Sequence, residues 1–102
     1  MNFGLDQNTF ERISAVFDNY PEVERVVIYG SRAKGNFRKG SDIDLTLMGE
    51  GLTESVLSSI KLALDDLNTP YLFDISIFEQ LQSPDLEEHI VRVGQVFYQK
   101  KS

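Results

Sequence analysis

The 102-residue chain contains no cysteine. A disulfide framework and a thiolate metal site are therefore excluded, and nothing in the composition demands an oxidising compartment. No basic segment followed by an apolar one opens the sequence, and no apolar run approaches the roughly 18 residues of a membrane-spanning helix. We therefore expect no association with a membrane, and the cytoplasm is the default location.

Positive charge is also scarce, since ten lysines and arginines stand against 16 acidic residues and the net charge is −6. This balance argues against direct nucleic-acid binding, because nucleic-acid-binding domains present basic surfaces to phosphates. Hydrophobic residues make up 41% and charged residues 25% of the chain, as in ordinary folded proteins. We therefore expect one domain over residues 1–102 with a single hydrophobic core.

The few basic residues are unevenly distributed, because four of the ten lie within eight positions with no acid among them. These four are Arg32, Lys34, Arg38 and Lys39. Beside a cluster of carboxylates, such a patch would attract a triphosphate that arrives with cations. On its own it is equally typical of a solvated loop. Which of the four touches phosphate is open, and Arg32 is the first candidate because it is nearest to Ser31.

Apolar periodicity alternates between the helical and the strand type along the chain. Helices are predicted over about 7–19, 54–68 and 84–93, and strands over about 24–29, 44–48 and 71–78. The segment 96–98 could form a short final strand or a packed tail. His89, the only histidine, borders an apolar helix face and is interpreted as a packed boundary residue. Strands that alternate with helices predict the α/β (α+β) class, with helices packed on a mixed sheet.

A glycine-rich, basic stretch interrupts this pattern between the first two predicted strands. Gly30 directly follows a buried strand, so its backbone could approach a ligand closely or take a positive φ. Residues 31–34 could form a short helical turn ended by Gly35, and amide groups at the start of such a turn favour anions. Taken alone, this pattern is also that of an ordinary turn.

Asp42 and Asp44 lie one residue apart at the start of the second predicted strand, so both carboxylates would point to the same face. Two carboxylates about 6.6 Å apart along a strand could lean onto two divalent cations about 4 Å apart. Ile43 would point the other way, into the core. A bare Asp-x-Asp is also typical of a solvated strand edge, so the pattern alone does not decide.

Asp74 lies among the hydrophobic residues of the third predicted strand, with Phe73, Ile75 and Ile77 on one face and Asp74 on the other. An acid is unexpected in such a strand. It is either functional or an edge charge that discourages aggregation.

Joined together, these elements are more specific. Gly30-Ser31, ten further residues and Asp42-Ile43-Asp44 resemble the signature of the DNA polymerase β-like nucleotidyltransferases. The sequence of this stretch is similar to that of the smallest branch of the superfamily, the minimal nucleotidyltransferases (MNT). It reads Gly-Ser-Arg-Ala-Lys-Gly…Gly-Ser-Asp-Ile-Asp-Leu. The resemblance implies a small mixed twisted sheet with helices packed on one side, and it puts the family's third carboxylate at Asp74.

The resemblance also implies an activity, which is the transfer of AMP from ATP to an acceptor hydroxyl with release of pyrophosphate. Two Mg²⁺ ions would be the cofactors. The catalytic and metal-binding residues that it implies are Asp42, Asp44 and Asp74. The nucleotide-binding residues that it implies are Gly30, Ser31 and Arg32.

Stand-alone MNT proteins are the antitoxins of HEPN/MNT toxin–antitoxin systems, so the resemblance implies a partner. That partner is a HEPN-domain ribonuclease toxin, and the acceptor is a tyrosine hydroxyl on it. Two alternatives stay open, a small-molecule (aminoglycoside-type) nucleotidyltransferase and a non-catalytic antitoxin that acts by contact. The sequence does not identify the acceptor residue, the nucleotide preference or the stoichiometry of the complex.

Overall fold

Four strands and four helices account for most of residues 2–38 and 40–101, the residues that the computed structural model describes. The strands are β1 (Arg25–Tyr29), β2 (Ile43–Met48), β3 (Phe73–Ile77) and β4 (Gln95–Gln99). The helices are α1 (Gln7–Asp18), α2 (Ser31–Lys34), α3 (Glu54–Asp65) and α4 (Pro84–Val93), with a 3-10 turn over Phe78–Gln80. No helix among these residues has the length and apolar character needed to cross a lipid bilayer.

The strands form one mixed sheet in the order β3-β2-β1-β4. The central strand β1 pairs antiparallel with β2 and with β4, whereas β2 and β3 are parallel. The expected mixed sheet is therefore confirmed. The segment 96–98, for which the sequence left a strand and a tail open, belongs to strand β4.

Side-chain caps start the three longer helices where the sequence predicts them. The Asp6 carboxylate accepts the Thr9 N–H at 2.7 Å at the start of α1. Thr53 and Ser83 cap α3 and α4 in the same way, each accepting an N–H three residues further on. A capping oxygen satisfies a backbone donor that the helix itself leaves unpaired. Helix α4 keeps its predicted bounds, whereas α3 ends at Asp65 rather than at about 68.

The main core lies between one face of the sheet and helices α1 and α3. Ile43, Leu45 and Leu47 alternate along β2 and are fully buried on this face. This burial confirms the direction predicted for the apolar side chains of β2. From the helices and neighbouring strands, the core takes further buried side chains, among them Ile13, Phe17, Ile28, Ile60, Leu64 and Ile75.

Helix α4 packs on the opposite face, where its Ile90 forms a second, smaller cluster with Val27 and Tyr29 of β1. The expectation that the helices lie on one side of the sheet is therefore wrong for α4. The physical reason is that β1 carries four consecutive buried residues, so both of its faces need an apolar cover. Helix α4 covers β1 on this second face, which also carries the polar side chains of β2 and β3.

The C-terminal strand is tied to α1 through Tyr98, whose hydroxyl donates to the Asp18 carboxylate at 2.6 Å. Burial, and then the Asp18 contact, raise the pKa of Tyr98 to about 12. The folded protein therefore favours the neutral phenol, so this contribution to stability is complete below about pH 10 and is lost as the pH rises towards 12.

We expect Asp18→Asn to lower the pKa of Tyr98, since it removes the negative charge and the strongest acceptor. The measurement is a titration of tyrosinate absorbance at low salt, with Tyr98→Phe identifying the transition that belongs to this residue. A transition at the same pH in wild type and Asp18→Asn would contradict this account.

Candidate active site

Asp44 and Asp74 are direct neighbours across the parallel pair of β2 and β3. Side chains at paired positions of adjacent strands stand on the same face, with the strands about 4.8 Å apart. Asp44 is half-buried, and Asp74 is exposed on the edge strand. Two carboxylates from separate strands therefore meet on the face that α4 covers only in part.

Asp42 lies two residues before Asp44, just ahead of β2, and its side chain is exposed. Its charge is close enough to contribute to the electrostatics of Asp44. The pKa of Asp44 is raised above its ordinary value by burial first, and then by the negative charges of Asp74 and Asp42, while His89 acts in the opposite sense. The three carboxylates therefore form one concentration of negative charge.

The turn that begins at Gly30 lies directly against Asp44. Gly30 has a φ of +75°, and a Cβ placed on it would stand 2.5 Å from the Asp44 Oδ2. Only a residue without a side chain fits both the backbone conformation and the space. Gly30 therefore brings the start of α2 into contact with Asp44.

The Gly30 turn is ended by Gly35 and held by a contact from the sheet. Helix α2 is a single turn over Ser31–Lys34, as the sequence predicts, and Gly35 ends it in the left-handed conformation, with a φ of +84°. The Gln95 side chain of β4 donates to the Ala33 carbonyl oxygen at 2.7 Å. Ser31, at the first position of α2, is thus supported from the sheet.

The structure buries Arg32, which the sequence made the first candidate for contact with phosphate. It is buried with 2% of its surface exposed, and its guanidinium donates to the carbonyl oxygens of Phe3 and Ser41. These three hydrogen bonds hold the guanidinium within the protein, away from the surface where phosphate would bind. Lys34 and Arg38 are exposed, and the fourth basic residue of the loop, Lys39, lies outside the described residues.

Two aromatic side chains that the sequence did not assign to the site border it. Tyr29 of β1 pairs with Asp44 across the antiparallel ladder, and the pKa of Tyr29 is raised by burial, then by the charges of Asp74 and Asp44. The His89 ring of α4 meets the Tyr29 ring edge-on, with 6.4 Å between centroids. Alternation along β1 puts Tyr29 on the α4 face, but the register that sets it beside Asp44 is not readable from the sequence.

The donor chemistry of the three carboxylates suits a hard cation such as Mg²⁺, which takes oxygen ligands. Burial is the main cause of the raised pKa of Asp44, and the negative charges of Asp74 and Asp42 raise it further. A bound cation would relieve the repulsion between these charges. Among residues 2–38 and 40–101, no three acidic or histidine side chains already converge as a metal-binding group. Asp42 and Asp74 are exposed, so their side chains are free to turn towards Asp44.

Comparison with known proteins adds a family and a fold. The family model described as "Polymerase beta, Nucleotidyltransferase" matches residues 11–102. A solved toxin–antitoxin complex with AMP-PNP contains a similar chain, with a TM-score of 0.71, 19% identity and coverage of 95% of this chain and 76% of that one. No curated protein is significantly similar in sequence.

Two further solved complexes share the fold. One holds a tri-AMPylated Shewanella oneidensis HEPN toxin with an MNT antitoxin, at a TM-score of 0.68, 17% identity and coverage of 94% and 74% of the two chains. The other is the toxin–antitoxin MntA-HepT, at a TM-score of 0.67, 18% identity and coverage of 93% and 74%. At these identities the likeness establishes the fold alone.

Proposed function

This chain belongs to the polymerase beta nucleotidyltransferase family, and from that premise we propose that it is a protein adenylyltransferase. It transfers AMP from ATP to a tyrosine hydroxyl of a partner HEPN ribonuclease toxin and acts as the antitoxin. The observation that carries the proposal is the pairing of Asp44 with Asp74 on one face, with Gly30 pressed against Asp44. Family membership alone would not require these groups to meet.

In the proposed reaction, the acceptor hydroxyl oxygen attacks the α-phosphorus of ATP. A phosphate ester bond forms, and the bond to the leaving pyrophosphate breaks. Such a step depends on charge stabilisation and alignment more than on covalent help from the protein. Asp74, exposed at the edge strand, is on the acceptor side and would accept the hydroxyl proton.

The phosphates of ATP would lie against the Gly30 turn. Ser31 offers a hydroxyl donor at the start of α2, and the absence of a side chain at Gly30 lets the phosphates approach the backbone. Lys34 and Arg38 are the exposed basic side chains of the described loop and would attract the triphosphate. In this arrangement the Gly30 turn binds the phosphates, and the three carboxylates remain available to bind cations.

Asp42, Asp44 and Asp74 would hold two Mg²⁺ ions. When bound, Mg²⁺ neutralises phosphate charge and lowers the pKa of the acceptor hydroxyl. The three acids bind the cations. Tyr29 and His89 shield one side of the site from water. The uncovered side is the one next to β3, where Asp74 lies at the sheet edge.

A HEPN toxin is proposed as the acceptor because three structures of the same fold are toxin–antitoxin complexes. One of these contains an AMPylated toxin, and another contains an ATP analogue. The exposed position of Asp74 supports a macromolecular acceptor, since a protein surface can complete a site that its own chain leaves open on one side.

The experiment is intact-mass measurement of a HEPN protein after incubation with this chain, ATP and Mg²⁺. We expect one or more increments of AMP on the toxin, and loss of its ribonuclease activity. Exclusion of ATP, or chelation of Mg²⁺ with EDTA, is expected to leave the toxin unmodified. Peptide mapping then identifies the acceptor residue.

Two outcomes would overturn the proposal in different directions. Toxin neutralisation without any change of mass would indicate an antitoxin that acts by contact. AMP transfer to small hydroxylated compounds, with none to the toxin, would indicate a small-molecule nucleotidyltransferase.

A further inference from the structure

Arg32 is the one buried charged side chain in the described part of the molecule. Burial of a guanidinium costs free energy unless other groups replace the water that it loses. The ion pair found within residues 2–38 and 40–101 joins Arg92 to Glu88, so no carboxylate there compensates Arg32. Its compensation comes from main-chain carbonyls and aromatic rings.

Each of the three guanidinium nitrogens of Arg32 donates a hydrogen bond. Nη1 donates to the Phe3 carbonyl oxygen at 2.9 Å, while Nε and Nη2 both donate to the Ser41 carbonyl oxygen, at 3.1 and 2.9 Å. The rings of Phe37 and Tyr71 lie with their centroids 4.9 and 4.8 Å from Cζ. Stacking on rings and forked hydrogen bonding are properties of arginine that lysine does not share.

These contacts reach the segments that lead to two of the three acids. The Ser41 carbonyl belongs to the peptide bond that joins Ser41 to Asp42. Tyr71 lies two residues before β3, the strand that carries Asp74. Arg32 therefore links the Gly30 turn, the end of the loop and the approach to β3.

The position of Asp42 depends on its two neighbours in the chain, because its own side chain is exposed. On one side, Ile43 is fully buried and donates its N–H to the Leu72 carbonyl oxygen at 2.9 Å. The preceding turn is closed by the Ser41 N–H, which donates to the Arg38 carbonyl at 2.9 Å, and by the Ser41 hydroxyl, which accepts the Arg38 N–H at 2.9 Å. On the Ser41 side of Asp42, Arg32 attaches this turn to the body of the protein.

We propose that Arg32 is a positioning residue that fixes the Ser41–Asp42 end of the loop, and through it the Asp42 carboxylate as a cation ligand. This inference rests on the proposed function in one respect, which is that Asp42 binds a Mg²⁺ ion of the proposed reaction. It assigns to Arg32 a role that does not involve contact with phosphate. A partner one step removed from a ligand typically contributes about 10–100-fold to metal affinity.

The test compares Arg32→Met with Arg12→Met in metal-free protein and in a Mg²⁺ titration. Arg12 is an exposed arginine of α1 that also donates to a main-chain carbonyl, that of Leu67, so it is a matched control. We expect amide hydrogen exchange at residues 40–42 to accelerate at least about tenfold in Arg32→Met alone. We also expect the Mg²⁺ concentration at half-maximal thermal stabilisation to rise about 10–100-fold.

A second variant keeps the test decisive if Arg32→Met folds poorly. Phe37→Leu leaves all three hydrogen bonds of Arg32 in place and removes one ring, so we expect a smaller rise in the Mg²⁺ requirement. Unchanged exchange at residues 40–42 would overturn the inference, and so would faster exchange with unaltered Mg²⁺ affinity. A raised KM for ATP at an unaltered Mg²⁺ requirement would indicate that Arg32 contacts the phosphates of ATP, and it would overturn the inference as well.

The fate of the proposed function is judged separately, on the wild-type chain. Wild type that binds Mg²⁺ but transfers no AMP would defeat the adenylyltransferase proposal and leave the comparison of Mg²⁺ affinities valid. Wild type whose stability does not respond to Mg²⁺ would defeat both.

Discussion

Replacement of Asp44 by asparagine is expected to reduce AMP transfer by about three orders of magnitude. The expectation follows because charge stabilisation by a bound cation is worth several kcal/mol, and each 1.4 kcal/mol corresponds to about tenfold in rate. Asp44 stands between the other two acids, beside Asp74 across the ladder and two residues after Asp42. An amide oxygen keeps the shape of the side chain but not the charge that holds a cation.

The same substitution is expected to stabilise the metal-free fold. The pKa of Asp44 is raised in the folded state, so the ionised carboxylate opposes folding above that pKa, and this cost disappears as the pH falls and the group is protonated. Asparagine removes the ionisation altogether. In EDTA at neutral pH, the midpoint of thermal unfolding should therefore be higher for Asp44→Asn than for wild type.

Addition of Mg²⁺ should reverse this order, since only wild type gains stability from binding the cation. Asp65→Asn is the matched control, because Asp65 is an exposed acid at the end of α3, against the opposite face of the sheet. It should alter neither AMP transfer nor the response to Mg²⁺. Full activity of Asp44→Asn would show that the carboxylate cluster has no part in the reaction.

Replacement of Gly30 by alanine is expected to reduce AMP transfer about a hundredfold or more. The new methyl group would stand 2.5 Å from the Asp44 Oδ2, so that carboxylate must move by about 1 Å to regain ordinary contact. A misplacement of about 1 Å in an active site can cost about a hundredfold in rate. The effect should appear in kcat as much as in KM for ATP, because Asp44 and the Gly30 turn are displaced together.

Gly40→Ala is the control for a positive φ without the contact. Gly40 has a φ of +84°, and a Cβ there would meet nothing within 4 Å. Gly30 combines its φ of +75° with a ψ of −153°, a backbone region that essentially only glycine adopts, so an alanine there is strained in addition to its contact with Asp44. Gly30→Ala should therefore lose far more activity than Gly40→Ala. Equal losses would show that the contact with Asp44 contributes nothing to the effect.

Local chemistry in the sequence predicts the elements of the fold well. Asp6, Thr53 and Ser83 are capping residues before apolar helical patterns, and each begins a helix. Alternation along β2 separates Ile43 from Asp44, since the pleat sends successive side chains to opposite faces. These features depend on neighbours in the chain, so the sequence contains the information to predict them.

The arrangement of elements that are distant in the chain is harder to predict from the sequence. The apolar stripe of α4 predicts a buried face but not which side of the sheet covers it, so the proximity of His89 to the site was missed. The burial of Arg32 is not predictable from the sequence either, since arginine is mostly exposed. The two rings and two carbonyls that allow its burial come from positions as far apart as Phe3 and Tyr71.

The contact between Gln95 and Ala33 has a consequence for synthesis of the protein. The two residues are 62 positions apart, and the residue that supports the Gly30 turn is made long after the turn itself. On the ribosome, β1 and β2 can pair before β4, the second neighbour of β1, has been made. A nascent chain therefore contains Asp42, Asp44 and Asp74 before it contains Gln95, so the Gly30 turn gains its support from the sheet only after all three acids have been added.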